Sequence, residues 1–246
     1  MQFKPNVNLL NHYDNTGQDR SRKPPYVAIY RLGKKTLVYM AERHVTESSW
    51  NMLEWCFSKK SGLRPDVLLT EFENVGRDLY RDDRTKKNTL SHATFVAAEH
   101  NVPVVLADLS ESQMMDVIGT DDKKYLHNSL QAGPNSKGNE LQKSCAKLGM
   151  LGRNPFMVQN IAAALNKYDT VFCIFGEGHF REQRAVLDDM FGKEPDEYIT
   201  EFPDMHTDFG KVKRDIFQRG IDIVKNKMHK MKIIRLVEFE KGKDVK

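Results

Sequence analysis

Two short segments of the chain each carry a glutamate two residues before a histidine, directly after an apolar run. The first segment spans residues 42–44 and the second spans residues 177–179. A third acidic residue follows the apolar run 67–70. Two imidazoles and one carboxylate are a common donor set for a catalytic divalent ion that keeps one coordination position open. The spacing therefore predicts a metal site whose ligands are His44, Glu71 and His179.

An ion in such a site would acidify a water molecule and polarise a carbonyl group, and Mn, Co and Zn are the candidate metals. Glu42 or Glu177 is the expected general base. Arg153 is expected to bind a developing oxyanion or a substrate carboxylate, because it precedes a predicted helix start. The same residues also suit a reaction without metal, in which a histidine activates water and a carboxylate orients it. The spacing does not separate these two hypotheses, since the sequence contains no HExxH motif.

The elements that would position these residues follow from runs of apolar residues. A hairpin is predicted at 26–40, and short buried strands are predicted at 65–71, 104–108 and 170–175. Helical patterns separate the later strands, which is the order typical of α/β units. We therefore predict an α/β fold with a mixed, mostly parallel central sheet flanked by helices. The site is expected at the carboxyl edge of the strands, where ligands bind in open sheets.

Local signals refine this picture around the predicted site. Asn154 is expected to be the N-cap of a helix with Pro155 at its first position. Asp108 is expected either to accept a hydrogen bond behind the site or to cap the helix after Ser110. Gly176 and Gly178 are expected to let the backbone turn sharply and approach a ligand closely. Later elements are predicted as strands at 198–202 and 233–239 and as an amphipathic helix at 211–228.

The predicted domain organisation is simple. Residues 1–25 are polar and are expected to form an irregular arm, and residues 26–246 are expected to form a single α/β domain. Residues 119–152 interrupt the alternation of helices and strands, so they are interpreted as an insertion. Within it, the segment 131–139 is rich in Gly, Pro and Asn and is predicted to be a flexible loop, either a lid or an insertion without function.

Composition narrows the classes of partner and compartment. The 246 residues carry a net charge of +4, and the basic residues are interspersed with acids, so no nucleic-acid partner is expected. No apolar run approaches the length needed to span a membrane. The three cysteines show no disulfide spacing and the first residues show no apolar signal segment, so a cytoplasmic location is expected. A small-molecule or peptide substrate is expected, and homo-oligomerisation is left open.

These motifs resemble the superfamily that joins the TraB and Tiki proteins, erythromycin esterase and the haem-binding ChaN lipoproteins. That family carries two GxxH motifs at strand ends, a glutamate after an intervening strand and an arginine before a late helix. The second motif is complete at 176–179, whereas the first, at 41–44, has Ala41 in place of glycine. Glu71, Arg153 and the strand-like segment 102–108 fall where the family pattern has its counterparts. The similarity covers about residues 26–192.

The resemblance implies an α/β fold and three alternative activities. The Tiki branch implies a divalent-metal-dependent peptidase, and the erythromycin-esterase branch implies a metal-free hydrolase with a histidine base. The ChaN branch implies haem binding, and a regulatory module without turnover is a further alternative. The leading hypothesis is a metal-dependent peptidase or esterase.

Overall fold

The computed structural model describes residues 2–10, 22–42, 47–71, 89–132, 140–201, 233–234 and 236–237. The strands in these segments are β1 (Tyr26–Leu32), β2 (Lys35–Glu42), β3 (Val67–Thr70), β4 (Val104–Leu106), β5 (Thr170–Gly176), β6 (Glu197–Ile199) and β7 (Ile233–Ile234). The α-helices are α1 (Glu47–Phe57), α2 (Thr89–Glu99), α3 (Glu111–Ile118), α4 (Lys123–Ala132), α5 (Glu140–Lys147), α6 (Asn154–Lys167) and α7 (Glu177–Phe191). A 3-10 turn covers Val7–Leu9, and a π-helical turn covers Leu148–Arg153.

The described strands form one seven-stranded sheet with the spatial order β6-β1-β2-β5-β3-β4-β7. Strand β1 pairs antiparallel with both β2 and β6, and the other pairings are parallel. The predicted α/β fold with a mixed, mostly parallel sheet is therefore confirmed. The central strand β5 lies between β2 and β3, so the two chain segments that carry the predicted site motifs leave neighbouring strands.

Apolar residues cover both faces of the central strands. In β5, Cys173 and Phe175 pack with residues of α6 and α7, whereas Phe172 and Ile174 pack with residues of α1 and α2 on the opposite face. Strands buried on both faces have to be apolar at successive positions. This explains why the segment 170–175 shows a continuous apolar run rather than an alternating pattern.

Most predicted strands are confirmed, with small differences in their bounds. The hairpin is formed by β1 and β2, and the runs at 65–71, 104–108, 170–175 and 198–202 correspond to β3, β4, β5 and β6. Of the strand predicted at 233–239, residues 233–234 form β7. The helix predicted at 211–228 lies outside the described residues.

Helix α6 begins at Asn154 with proline in its first turn, close to the predicted start, but the capping role predicted for Asn154 is wrong. The π-helical turn runs directly into α6, and Arg153 has the helical angles φ −62° and ψ −54°. Asn154 therefore does not cap a free helix end, and its side chain bonds to residues of α7 instead. Arg153 consequently does not lie at the positively charged start of a helix, which removes the dipole argument for its role.

The segment 119–152 contains helices α4 and α5 and the π-helical turn. Most of the loop predicted at 131–139 lies outside the described residues. Leu126 and Leu148 of this segment join Leu109 and Phe156 in a small apolar cluster. The described part of the segment is therefore packed against the rest of the domain. In the described segments, no helix combines the length and apolar character needed to cross a membrane.

Candidate functional site

The carboxyl ends of four parallel strands meet at one edge of the sheet. Glu42, the last residue of β2, lies opposite Gly176, the last residue of β5. Thr70 at the end of β3 lies opposite Ile174 of β5 and Leu106 of β4. Because the strands end in register, the polar residues that follow them are brought to a common edge, as predicted.

Glu71 is held at this edge by two donors. Its side chain is only 2% exposed. The backbone N–H of Gly176 donates a short hydrogen bond to Oε1, and Nη2 of Arg153 lies 3.3 Å from Oε2. A buried carboxylate is costly unless it is hydrogen-bonded or paired with a cation, and both conditions are met here.

Asp108 shares the same guanidinium group. Nη2 of Arg153 donates to Oδ2 of Asp108 at 2.7 Å, and Nε lies 3.1 Å from each carboxylate oxygen. Burial lowers the pKa of Arg153, but Asp108 and Glu71 more than offset this effect and raise the net pKa above its ordinary value. Arg153 is therefore a permanent cation between two buried acids.

Of the two roles predicted for Asp108, the hydrogen-bond acceptor behind the site is confirmed. The helix-capping role is wrong, because Ser110 is the N-cap of α3 and forms a capping box with Gln113. Asp108 instead accepts from Arg153 and from the backbone N–H of Leu109. A local cap was expected because aspartate favours helix starts, and the competing arginine lies 45 residues away in sequence.

His179 lies in the first turn of α7 and faces Glu71. Its Nε2 atom is 3.9 Å from Oε2 of Glu71, and its side chain is 14% exposed. Its Nδ1 atom is 2.8 Å from Oδ1 of Asn154. The imidazole is thus fixed on one side by α6, while its other nitrogen points towards the carboxylate of Glu71.

Asn154 is a residue of this site that the sequence analysis misassigned as a helix cap. It is fully buried, and it contacts His179, Glu182 and Gln183 of α7. Gln183 is also buried, and its Oε1 atom accepts a hydrogen bond from the hydroxyl group of Tyr39 at 3.0 Å. Gln183 lies four residues after His179, on the same helical face. That spacing is the only sequence signal that could have suggested it.

The two candidate general bases have different surroundings. Glu42 is 1% exposed at the end of β2. Glu177 is paired with Arg181 one helical turn later, and its side chain is 12% exposed. Glu177 is therefore the more accessible of the two carboxylates.

The chain turns from β5 into α7 without a left-handed glycine, and the close approach to a ligand expected at Gly176 and Gly178 stays a prediction. Gly176 has φ −58° and ψ 146°, and β5 passes directly into α7. Gly178 does not have a positive φ angle either. A Cβ atom built at Gly178 would meet no atom of a described residue within 4 Å, so packing against these residues does not demand glycine there.

His44 lies outside the described residues, so its distance to His179 is not defined. Among the residues that the structure does describe, no group of three or more His, Cys, Asp or Glu side chains is arranged to hold a metal ion. Two members of the predicted ligand set, Glu71 and His179, are brought together. The complete three-ligand site stays a prediction.

Comparison of the chain with protein-family models, with curated proteins and with solved structures finds no match. Function therefore has to be inferred from the chemistry of the site itself.

Proposed function

We propose that this chain is a hydrolase of a carbonyl bond, peptide or ester, with a divalent ion held by His44, Glu71 and His179. The observation that carries the proposal is the 3.9 Å distance between Nε2 of His179 and Oε2 of Glu71. This distance is too long for a direct hydrogen bond. Two ligand bonds of about 2 Å to one shared ion span at most about 4 Å, and a tetrahedral site holds two donors about 3.3 Å apart, so binding an ion would draw the two side chains slightly closer.

The charges and the chain path support the same ligand set. Glu71 and Asp108 are two buried carboxylates that share one guanidinium group, that of Arg153. A divalent ion next to Glu71 would be attracted by both of these carboxylates. His44 follows Glu42, the last residue of β2, by two positions in the sequence.

An ion bound by these side chains would supply an acidified water molecule and polarise the substrate carbonyl. Glu177 is the better general base, because it is more accessible than Glu42. Nε and Nη2 of Arg153 are used by Asp108 and Glu71. Its remaining nitrogen, Nη1, makes no hydrogen bond to a described residue, so we assign it the oxyanion or carboxylate of the substrate.

One observation favours the metal-free hydrolase as a second candidate. Both oxygens of Glu71 already accept hydrogen bonds, from Gly176 and from Arg153. A carboxylate held in this way suits an orienting role beside a histidine that removes a proton from water. In this version, Nε2 of His179 is the base and Glu71 fixes the position of the water.

Chelation distinguishes the two candidates. The purified chain is assayed on an activated aryl ester and on a fluorescently labelled peptide mixture, before and after treatment with a chelator. The metal-dependent candidate requires activity to disappear and to return with Mn, Co or Zn. Activity that survives chelation but is lost in His179→Ala would establish the metal-free candidate. The matched control is His127→Ala, an exposed histidine of α4.

The proposed membership of the TraB, Tiki, erythromycin esterase and ChaN superfamily is supported by the order of these residues along the chain and by the confirmed sheet. The haem-binding alternative stays a prediction, which a haem absorbance band on titration would favour. We also propose a cytoplasmic location, because all three cysteines are free, as expected in a reducing compartment.

A further inference from the structure

A series of hydrogen bonds through two buried amide side chains connects His179 to Tyr39 of β2. Oδ1 of Asn154 lies 2.8 Å from Nδ1 of His179 and 2.8 Å from Nε2 of Gln183. Gln183 in turn accepts the hydroxyl hydrogen of Tyr39. Asn154, Gln183 and Tyr39 are fully buried, so water does not compete for these hydrogen bonds.

Glu182 at one end and Tyr39 at the other determine which atom donates in each hydrogen bond of this series. The carboxylate of Glu182 contacts Nδ2 of Asn154, and an ionised carboxylate can only accept. The amide group of Asn154 therefore directs its oxygen towards His179. Gln183 can direct its Nε2 towards that oxygen because its own oxygen is bound by Tyr39. Burial, together with the nearby Cys173 and Glu71, raises the pKa of Tyr39 well above its ordinary value, so its hydroxyl stays protonated and donates.

We propose that Asn154 is a positioning residue that fixes neutral His179 in the Nδ1–H tautomer, with Gln183 and Glu182 holding the Asn154 amide in the required orientation. The Nε2 atom then carries the lone pair and faces Oε2 of Glu71. The importance of this inference for turnover rests on the proposed function, in which Nε2 binds an ion or accepts a proton. The tautomer of His179 can be measured directly on the protein, and this measurement needs no assay of enzymatic activity.

The arrangement has a clear physical purpose. The free imidazole of histidine favours the Nε2–H tautomer in water, and that tautomer cannot use Nε2 as a ligand or as a base. A hydrogen bond from Nδ1–H to a fixed acceptor reverses the preference and also sets the ring plane. Amide groups do not pass protons along the chain, so Asn154 and Gln183 orient the ring without relaying protons.

The test is nuclear magnetic resonance of the ring nitrogens in full-length, ¹⁵N-histidine-labelled protein. The chain has eight histidines, so the His179 signals are assigned by their loss in His179→Gln. The protein is treated with a chelator first, so that no ion on Nε2 determines the result. At a pH where the ring is neutral, we expect a protonated Nδ1 and an unprotonated Nε2. A protonated Nε2 as the major form would overturn the proposal.

Two variants test the role of the amide chain. Asn154→Leu removes the acceptor while keeping a similar volume, and we expect His179 to shift towards the Nε2–H form. Glu182→Gln is the second variant, because Asn154 is fully buried and its replacement can prevent folding. It allows the Asn154 amide to flip, and we expect a mixture of tautomers. If Glu182→Gln and every folded Asn154 variant keep the wild-type tautomer, the assignment of Asn154 is wrong.

A binding measurement separates this inference from the proposed function. If both hold, Glu182→Gln weakens the binding of Zn to the full chain by about 10–100-fold, as for other groups that orient a metal-bound histidine. A shifted tautomer in a protein that binds no Zn at all would support the positioning role and reject the metal site. An unshifted tautomer with normal Zn binding would reject the positioning role alone.

Discussion

Arg153 and Asp108 lie 45 residues apart in sequence, and the guanidinium group of Arg153 binds the carboxylate of Asp108 through Nη2 at 2.7 Å and through Nε at 3.1 Å. Side-chain exposure is 15% for Arg153 and 1% for Asp108, so the pair is largely removed from water. The same Nη2 atom reaches Glu71. One arginine therefore connects the ends of β3 and β4 behind the proposed site.

Arg153→Met should lower the free energy of unfolding by about 3 kcal/mol, because it leaves two buried carboxylates without their cation. Methionine keeps the apolar stem and removes the charge, so the loss reports the ion pair rather than packing. Urea unfolding followed by circular dichroism measures the effect.

The matched control is Arg31→Met. Arg31 pairs with Glu197 at 3.2 Å, with side-chain exposures of 44% and 47%, and such an exposed pair contributes about 1 kcal/mol or less. Equal losses in the two variants would show that burial of the Arg153 pair does not matter.

Gly152 and Gly178 should respond in opposite directions to substitution by alanine. A Cβ atom at Gly152 would lie 3.0 Å from Cδ1 of Leu109 and 3.1 Å from Cγ2 of Val117, whereas one at Gly178 would meet no atom of the described segments within 4 Å. Overpacking costs about 1–3 kcal/mol, and alanine in a helix gains up to about 1 kcal/mol over glycine. Gly152→Ala should therefore lower the midpoint of thermal unfolding and Gly178→Ala should raise it. A stabilised Gly152→Ala protein would mean that the contact of the π-helical turn with α3 is looser than described.

Much of the fold could be predicted because its strands are short apolar runs with clear ends. The hairpin and the parallel strands follow from composition and from the breaks between runs, as at 101–103. The order of strands in the sheet could not be predicted in the same way, because β5 enters between β2 and β3 from a distant part of the chain. The position of β5 in the sheet depends on tertiary packing, and local sequence patterns carry no information about that packing.

The site was predictable only where a residue type itself suggests chemistry. Glu71 and His179 were found because carboxylates and imidazoles at strand ends are unusual, and the structure brings these two together. The roles of Asn154 and Gln183 were missed because amides are common in helices and their partners are distant. Asn154 was assigned to a helix cap from local preference, but the preceding π-helical turn continues the helix and frees its side chain for His179.

Iodoacetamide should label Cys145 rapidly in the native protein and leave Cys56 and Cys173 unlabelled. Cys145 is partly exposed, whereas the other two are buried, and burial raises the pKa of both buried thiols. The thiolate is the form that reacts with iodoacetamide. The buried thiols therefore react slowly, because the reagent does not reach them and because their raised pKa leaves little thiolate. Mass spectrometry of native and urea-treated protein gives the number of labelled cysteines in each state. Rapid labelling of Cys173 in the native state would contradict the packing around β5, and Cys145→Ser should abolish the native label.

The metal content of the purified full-length protein tests the central claim most directly, namely that Glu71 and His179 share an ion with His44. We predict close to one divalent ion per chain in the wild type and in His127→Ala, and a loss of most of this ion in a folded His179→Ala protein. A wild-type protein that neither retains nor takes up a divalent ion, or a His179→Ala protein that keeps a full complement, would contradict the account.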